Sequence, residues 1–112
     1  VLSVRLKFGK NYYLAVMLTK LDIESKLQAI KPVLADKFHV SSIGYFGSYS
    51  TGQQNDQSDL DLLVEFSQPV GWEFFALESF LEQSLGLRVD LVTRNALKEQ
   101  IKESILKQVK YI

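Results

Sequence analysis

The sequence predicts one α/β (α+β) domain, a small mixed β-sheet flanked by helices, and three observations predict it. Apolar residues recur at spacings of three and four in three separate stretches, the period of a helix with one buried face. Short runs rich in β-branched and aromatic residues fall between those stretches, each bounded by glycine or polar turn residues. The 112 residues are enough for a single core and contain no linker, repeat or low-complexity tract to divide them.

The start of the chain is its least regular part. "LSVRLKF" alternates apolar and polar residues, and "YYLAVML" follows after "GKN", which reads as a two-stranded hairpin. The other reading is an extension ahead of an original start at Met17, the only methionine, so residues 1–22 are set apart from a domain over 23–112.

From Ile23 the period is helical, with Leu27, Ile30, Leu34 and Phe38 on the same stripe and Asp22 placed to cap it. Pro32 inside this pattern predicts a kink or a split. "SSIGYF" reads as a strand closed by Gly47, and "DLDLLVEF" as a second strand, whose Leu62, Leu63 and Val64 form the continuous apolar run of a strand covered on both faces. "WEFFALESFLEQSLG" is a helix with Phe74, Leu77, Leu81 and Leu85 inward and Gly86 past its end. "LRVDLVT" is a third strand. The final helix places Leu97, Ile101, Ile105, Val109 and Ile112 on one face, capped by Thr93 or Asn95. The order helix, strand, strand, helix, strand, helix gives a two- or three-layer domain.

Composition excludes several functions. Thirteen basic and thirteen acidic side chains cancel, so no global field draws the chain to nucleic acid or to anionic lipid. No apolar stretch approaches the ~20 residues of a membrane helix. The absence of cysteine removes disulfides and thiolate metal sites and fits a reducing, cytoplasmic setting.

The chemistry concentrates in "GSYSTGQQNDQSDLDLLVEF". In a strand, side chains two apart share a face, so Asp59 and Asp61 point the same way with Cα atoms ~6.5–7 Å apart. Such a pair suits Mg²⁺, which takes oxygen ligands and is commonly shared between one or two carboxylates and substrate phosphates. Asp90, alternating with Val89 and Leu91, joins them if its strand lies alongside. Against this stands the plain reading of solvated turn carboxylates. A Ca²⁺ cage using Asp56 lacks the loop glycine and terminal glutamate of an EF-hand. Gly47 and Ser48 end a strand where backbone can approach a ligand closely, and the following turn can offer N–H groups to phosphate; a simple capped turn is the alternative. His39, the single histidine, reads as structural or exposed. The tyrosines and Trp72 read as core or interface, with Tyr45 or Tyr49 as possible linings of a nucleotide site.

Gly47-Ser48, ten intervening residues and Asp59-Leu60-Asp61 together resemble the G-S-x10-D-x-D signature of the DNA polymerase β-like nucleotidyltransferases. The likeness is strongest to the minimal nucleotidyltransferases (MNT) that pair as antitoxins with HEPN-domain toxins, and it extends from about Ile23 to the C-terminus. The resemblance implies a polymerase β palm-like fold, a nucleotide held by Gly47, Ser48 and Thr51, Mg²⁺ held by Asp59, Asp61 and Asp90, and Asp90 assisting the attacking hydroxyl. It implies transfer of a nucleoside monophosphate, AMP from ATP, to a hydroxyl. With no second domain to recognise an acceptor, a protein partner is expected, and the resemblance makes it a tyrosine of a HEPN toxin. Oligomerisation is compatible with it. The chain departs from the family in "GSYSTG", where Thr51 stands in place of the arginine of "GS-x-A-R-G". That departure keeps open a non-catalytic binding module with a vestigial nucleotide site; transfer to a small hydroxyl compound is the third option.

Overall fold

The computed structural model describes residues 12–55 and 58–112, with side chains from Thr19 onward. Its elements are α1 (Tyr12–Phe38), β1 (Val40–Phe46), the single turn α2 (Ser48–Thr51), β2 (Leu60–Phe66), α3 (Glu73–Leu85), β3 (Val89–Thr93), a 3₁₀ turn (Arg94–Ala96), α4 (Glu99–Gln108) and β4 (Lys110–Tyr111).

The sheet runs β3-β2-β1-β4. β1 pairs antiparallel with β2 and with β4, while β2 and β3 pair parallel, so the sheet is mixed as expected. The parallel pair needs a crossover, and α3 supplies it. Leu60, Leu62 and Val64 of β2 point to one face with Val89 and Leu91 of β3, where they meet Ile23, Leu27 and Leu34 of α1 and Leu77, Leu81 and Leu85 of α3. Each such leucine contributes roughly 1.5–3 kcal/mol by leaving water. Alternation sends Asp61, Leu63 and Asp90 to the opposite face. Leu63 is also buried, so the continuous apolar run of β2 is covered on both sides.

Gly86 ends α3 in the left-handed region, its N–H donating to Glu82 O at 2.8 Å. His39 plays the corresponding part after α1 with φ 58°, and its carbonyl accepts from Ser67 N and Oγ. The position thus has a structural role through its backbone.

Several expectations are corrected. "YYLAVML" is helical, not a hairpin arm: α1 begins at Tyr12 and runs without interruption into the Ile23 stripe, while "LSVRLKF" lies outside the described residues. Asp22 therefore caps nothing and instead pairs with Lys26 one turn on, at 3.2 Å. Pro32 does not split α1; it deletes the single N–H that would reach Gln28, and buried Leu27 and Leu34 hold the helix on either side.

The last helix is shorter than its apolar period. α4 starts after Lys98, without a side-chain cap from Thr93 or Asn95, and Val109 leaves it with φ −61° and ψ 130°. Tyr111 and Ile112 are good strand formers, and the sheet offers them backbone partners, including Ile112 N to Ile43 O at 3.0 Å. Ile101 is left half-exposed rather than docked. Trp72, expected in a core or interface, is not in the core: it is 85% exposed and touches Phe75 at a ring distance of 5.8 Å.

Candidate active site

The site is assembled where β1 ends beside the starts of β2 and β3. Phe46 lies opposite Asp61 in the antiparallel ladder, and Asp61 lies opposite Asp90 in the parallel one. Register alone thus places two carboxylates next to the turn that follows β1.

Gly47 opens that turn with φ 74° and ψ −147°, a conformation essentially reserved for glycine. A Cβ at this position would overlap Asp61 Oδ2. Glycine is therefore required twice, for the backbone angle and for the space that the carboxylate occupies. The Gly47 carbonyl then accepts from Ser50 N at 3.0 Å, Thr51 N at 3.1 Å and Ser50 Oγ at 3.0 Å, winding Ser48–Thr51 into one turn closed by Gly52 in the left-handed region.

Asp61 is half-buried, and its carboxyl is pushed up to about 6. Burial is the largest cause, followed by the charges of Asp90 and Asp59 and by a hydrogen bond with Asp90. The sequence expectation that these acids gather on one sheet face is met by Asp61 and Asp90. Asp59 differs, because β2 begins at Leu60 and strand alternation does not govern it. It lies in the preceding loop, where Arg88 Nε holds it at 3.1 Å, and Leu60 N donates to Arg88 O at 2.8 Å. Both partners are well exposed, so the pair is easily exchanged for another. Among the described residues no three or more acidic, histidine or cysteine side chains stand together as a group that could hold a metal ion. Asp56 lies outside the described residues.

Ser48 is half-buried at the head of the turn, beside Gly47. Thr51 is exposed, and its hydroxyl is spent within the turn, on Gly47 O at 3.2 Å and Ser48 O at 3.4 Å. Tyr45 and Tyr49 do not line the site: both are in the core, and the Tyr45 phenol donates to Glu24 of α1 in a short bond. Burial first, then that bond, raises the phenol well above its usual range.

Two participants escaped the sequence reading. Arg88 answers Asp59, and Lys20 of α1 reaches the turn to donate to Ser50 O at 3.1 Å. Lys20 belongs to the segment whose helical period is weak, so nothing local tied it to the turn.

Residues 27–112 match the family model for the nucleotidyltransferase domain. The chain belongs to this family. Among the relatives of this nucleotidyltransferase is the protein adenylyltransferase MntA of Thermococcus cleftensis, 46% identical over 97 residues that cover 86% of this chain and 98% of the relative. A solved structure assigned as a minimal nucleotidyltransferase superposes with a TM-score of 0.66 at 28% identity, covering 85% of this chain and 93% of its own. A toxin-antitoxin structure with AMP-PNP gives a TM-score of 0.59 at 26% identity, covering 82% and 70%. The mixed sheet with flanking helices is thus the fold of minimal nucleotidyltransferases, as the G-S-x10-D-x-D resemblance implied.

Proposed function

We propose that this nucleotidyltransferase moves AMP from ATP, with Mg²⁺, to a tyrosine of a HEPN-domain toxin and so acts as its antitoxin. The observation that carries the reading is the in-register pair Asp61 and Asp90, set against the glycine turn that only Gly47 can form. The protein adenylyltransferase relative supports AMP as the group moved, and the toxin-antitoxin structure with AMP-PNP supports an ATP-like donor and a toxin partner.

The donor set fits a hard divalent cation. Burial, and after it the neighbouring charges of Asp90 and Asp59, disfavour the Asp61 carboxylate, and a cation placed among these oxygens would offset both. Asp61 and Asp90 would hold it, joined by Asp59 once it leaves Arg88. When bound, Mg²⁺ neutralises phosphate charge as pyrophosphate departs.

The remaining steps belong to the chain's own residues. Gly47 backbone and the Ser48 hydroxyl grip the triphosphate. Asp90 takes the proton of the acceptor hydroxyl, whose oxygen forms the new bond to the α-phosphorus as the bond to the β-phosphate bridging oxygen breaks. Pyrophosphate leaves with the electron pair. Positioning and electrostatics supply the rate, as in phosphoryl transfer generally.

One observation favours a second reading, a binding module with a vestigial nucleotide site: Thr51 brings no positive charge to the turn, and its hydroxyl donates within it, toward the Gly47 and Ser48 carbonyls. Labelled ATP decides between the two. With Mg²⁺ and the cognate toxin, the wild-type protein is expected to label the toxin, and Asp61→Asn to lose the label. Stable complex formation without any label would favour the binding module.

A further inference from the structure

Three segments leave the sheet at the same end. Phe46 is opposite Asp61 and Leu60 is opposite Val89, so Gly47 and Ser48 follow β1 there, while Asp59 and Arg88 each precede a strand. Leu60 N donates to Arg88 O at 2.8 Å, which extends the parallel ladder by one bond and fixes the backbone of Arg88 next to that of Asp59. The Arg88 side chain turns toward the same neighbour, its Nε 3.1 Å from Asp59 Oδ1. Asp59 in turn is near enough to Asp61 for its charge to raise that carboxyl. The guanidinium thus stands beside the acids themselves.

Without a metal the acids are already answered from within the chain. Asp61 and Asp90 share a hydrogen bond, and Asp59 has Arg88. A divalent cation that takes Asp59 as a ligand must displace the guanidinium, because the two positive charges repel and compete for the same oxygens. The exchange costs little: the Arg88 side chain is 66% exposed and that of Asp59 50%, and such a pair is weak in water. Once displaced, the guanidinium is best matched by another anion, and a triphosphate brings one with the metal. The planar fork of Arg88 suits phosphate oxygens taken two at a time.

We propose that Arg88 is a positioning residue of the nucleotide site, holding Asp59 away from the cation until a triphosphate arrives and then passing to its phosphate oxygens. The proposal rests on the reading of the Gly47 turn and the acids as a nucleotide site. Arg88 thereby couples the two ligands, since metal alone has to break the pair with Asp59 whereas metal with triphosphate exchanges it. From the start of β3 it also supplies the positive charge that Thr51 does not bring to the turn.

Two affinities test it on the wild type, Arg88→Gln and Arg94→Gln: that for Mn²⁺ alone, read by electron paramagnetic resonance, and that for a non-hydrolysable ATP analogue with Mn²⁺, read by calorimetry. Arg88→Gln should bind Mn²⁺ alone about two- to fivefold more tightly, because an exposed ion pair no longer competes for Asp59. The same variant should bind the analogue at least about fivefold more weakly, having lost a charge-assisted contact to phosphate. Arg94→Gln removes an equal charge at the other end of β3 and should change neither affinity by more than about twofold. Opposite signs are the signature, since a mere clasp between the Asp59 loop and β3 would lose both affinities together. Weaker or unchanged Mn²⁺ binding in Arg88→Gln overturns the proposal, and so does unchanged affinity for the analogue or an equal effect of Arg94→Gln. If the wild type binds neither Mn²⁺ nor the analogue, the nucleotide reading falls and this proposal with it.

Discussion

Asp61→Asn should stabilise the metal-free protein while abolishing transfer. In the folded chain the Asp61 carboxyl sits at about 6 against an ordinary 3.8, so the folded state holds its proton to higher pH than the unfolded state does. Between those two values the folded state binds more protons, and unfolding free energy must fall as pH rises; above about 6 the loss is complete. At ~1.36 kcal/mol per pH unit the ceiling is about 3 kcal/mol, and solvent reaching half of the side chain reduces it to roughly 1 kcal/mol. Asparagine removes the charge and retains a hydrogen-bond donor for Asp90. For a domain of this size 1 kcal/mol corresponds to roughly 4–8 °C in melting temperature. Urea denaturation in EDTA, at pH about 4 and about 7.5, reads the effect: the variant should gain stability over wild type at the higher pH and little at the lower. Equal stability at the higher pH, or the same difference at both, would refute the reasoning that burial and neighbouring acids disfavour the Asp61 carboxylate.

Three further outcomes follow from backbone geometry. Gly47→Ala should cost about 1–3 kcal/mol, because φ 74° with ψ −147° excludes a side chain, and should abolish labelling of the toxin because Asp61 must move; denaturation and labelled ATP check the two halves. His39→Gly should raise stability by about 0.5–1 kcal/mol in urea, since glycine relieves a left-handed φ of 58° at the end of α1. Gly44→Ala should loosen the C-terminal strand, because its Cβ would come 2.6 Å from Val109 Cγ1 and 2.9 Å from Lys110 O; faster hydrogen exchange at Tyr111 and Ile112 reports it.

Strong local patterns carried most of the fold into the sequence. The stripe from Ile23 to Phe38, the run Leu62-Leu63-Val64 and the Gly86 terminus each state a burial demand that a single element satisfies, and the structure meets each of them. The departures arise where a tertiary partner outbids a local signal. Val109 and Ile112 keep a helical period with Ile101 and Ile105, yet the β1 edge claims the final residues for β4. Asp22 looked like a cap only because nothing local showed that α1 extends ahead of it. At the site, Gly47 and Ser48 were legible from the Gly-Ser turn that ends a strand, and Asp90 only on the condition, met in the β2–β3 register, that its strand lies beside that of Asp61. Asp59 was misplaced by one residue of strand, which alternation cannot detect, and Arg88 is its partner through a side chain that spacing does not reveal. The contact between Lys20 and Ser50 spans thirty residues and leaves no trace in either segment.

The central claim is that the carboxylates at the start of β2 and β3 bring a divalent cation and a triphosphate to the Gly47 turn. Diffraction from crystals grown with Mn²⁺ and a non-hydrolysable ATP analogue tests it directly, because manganese scatters anomalously. An anomalous peak bound by Asp61 and at least one of Asp59 and Asp90 is expected, with the triphosphate lying over Gly47 and Ser48. Nucleotide density away from that turn, or manganese bound elsewhere with Asp61 still turned onto Asp90 alone, would contradict it.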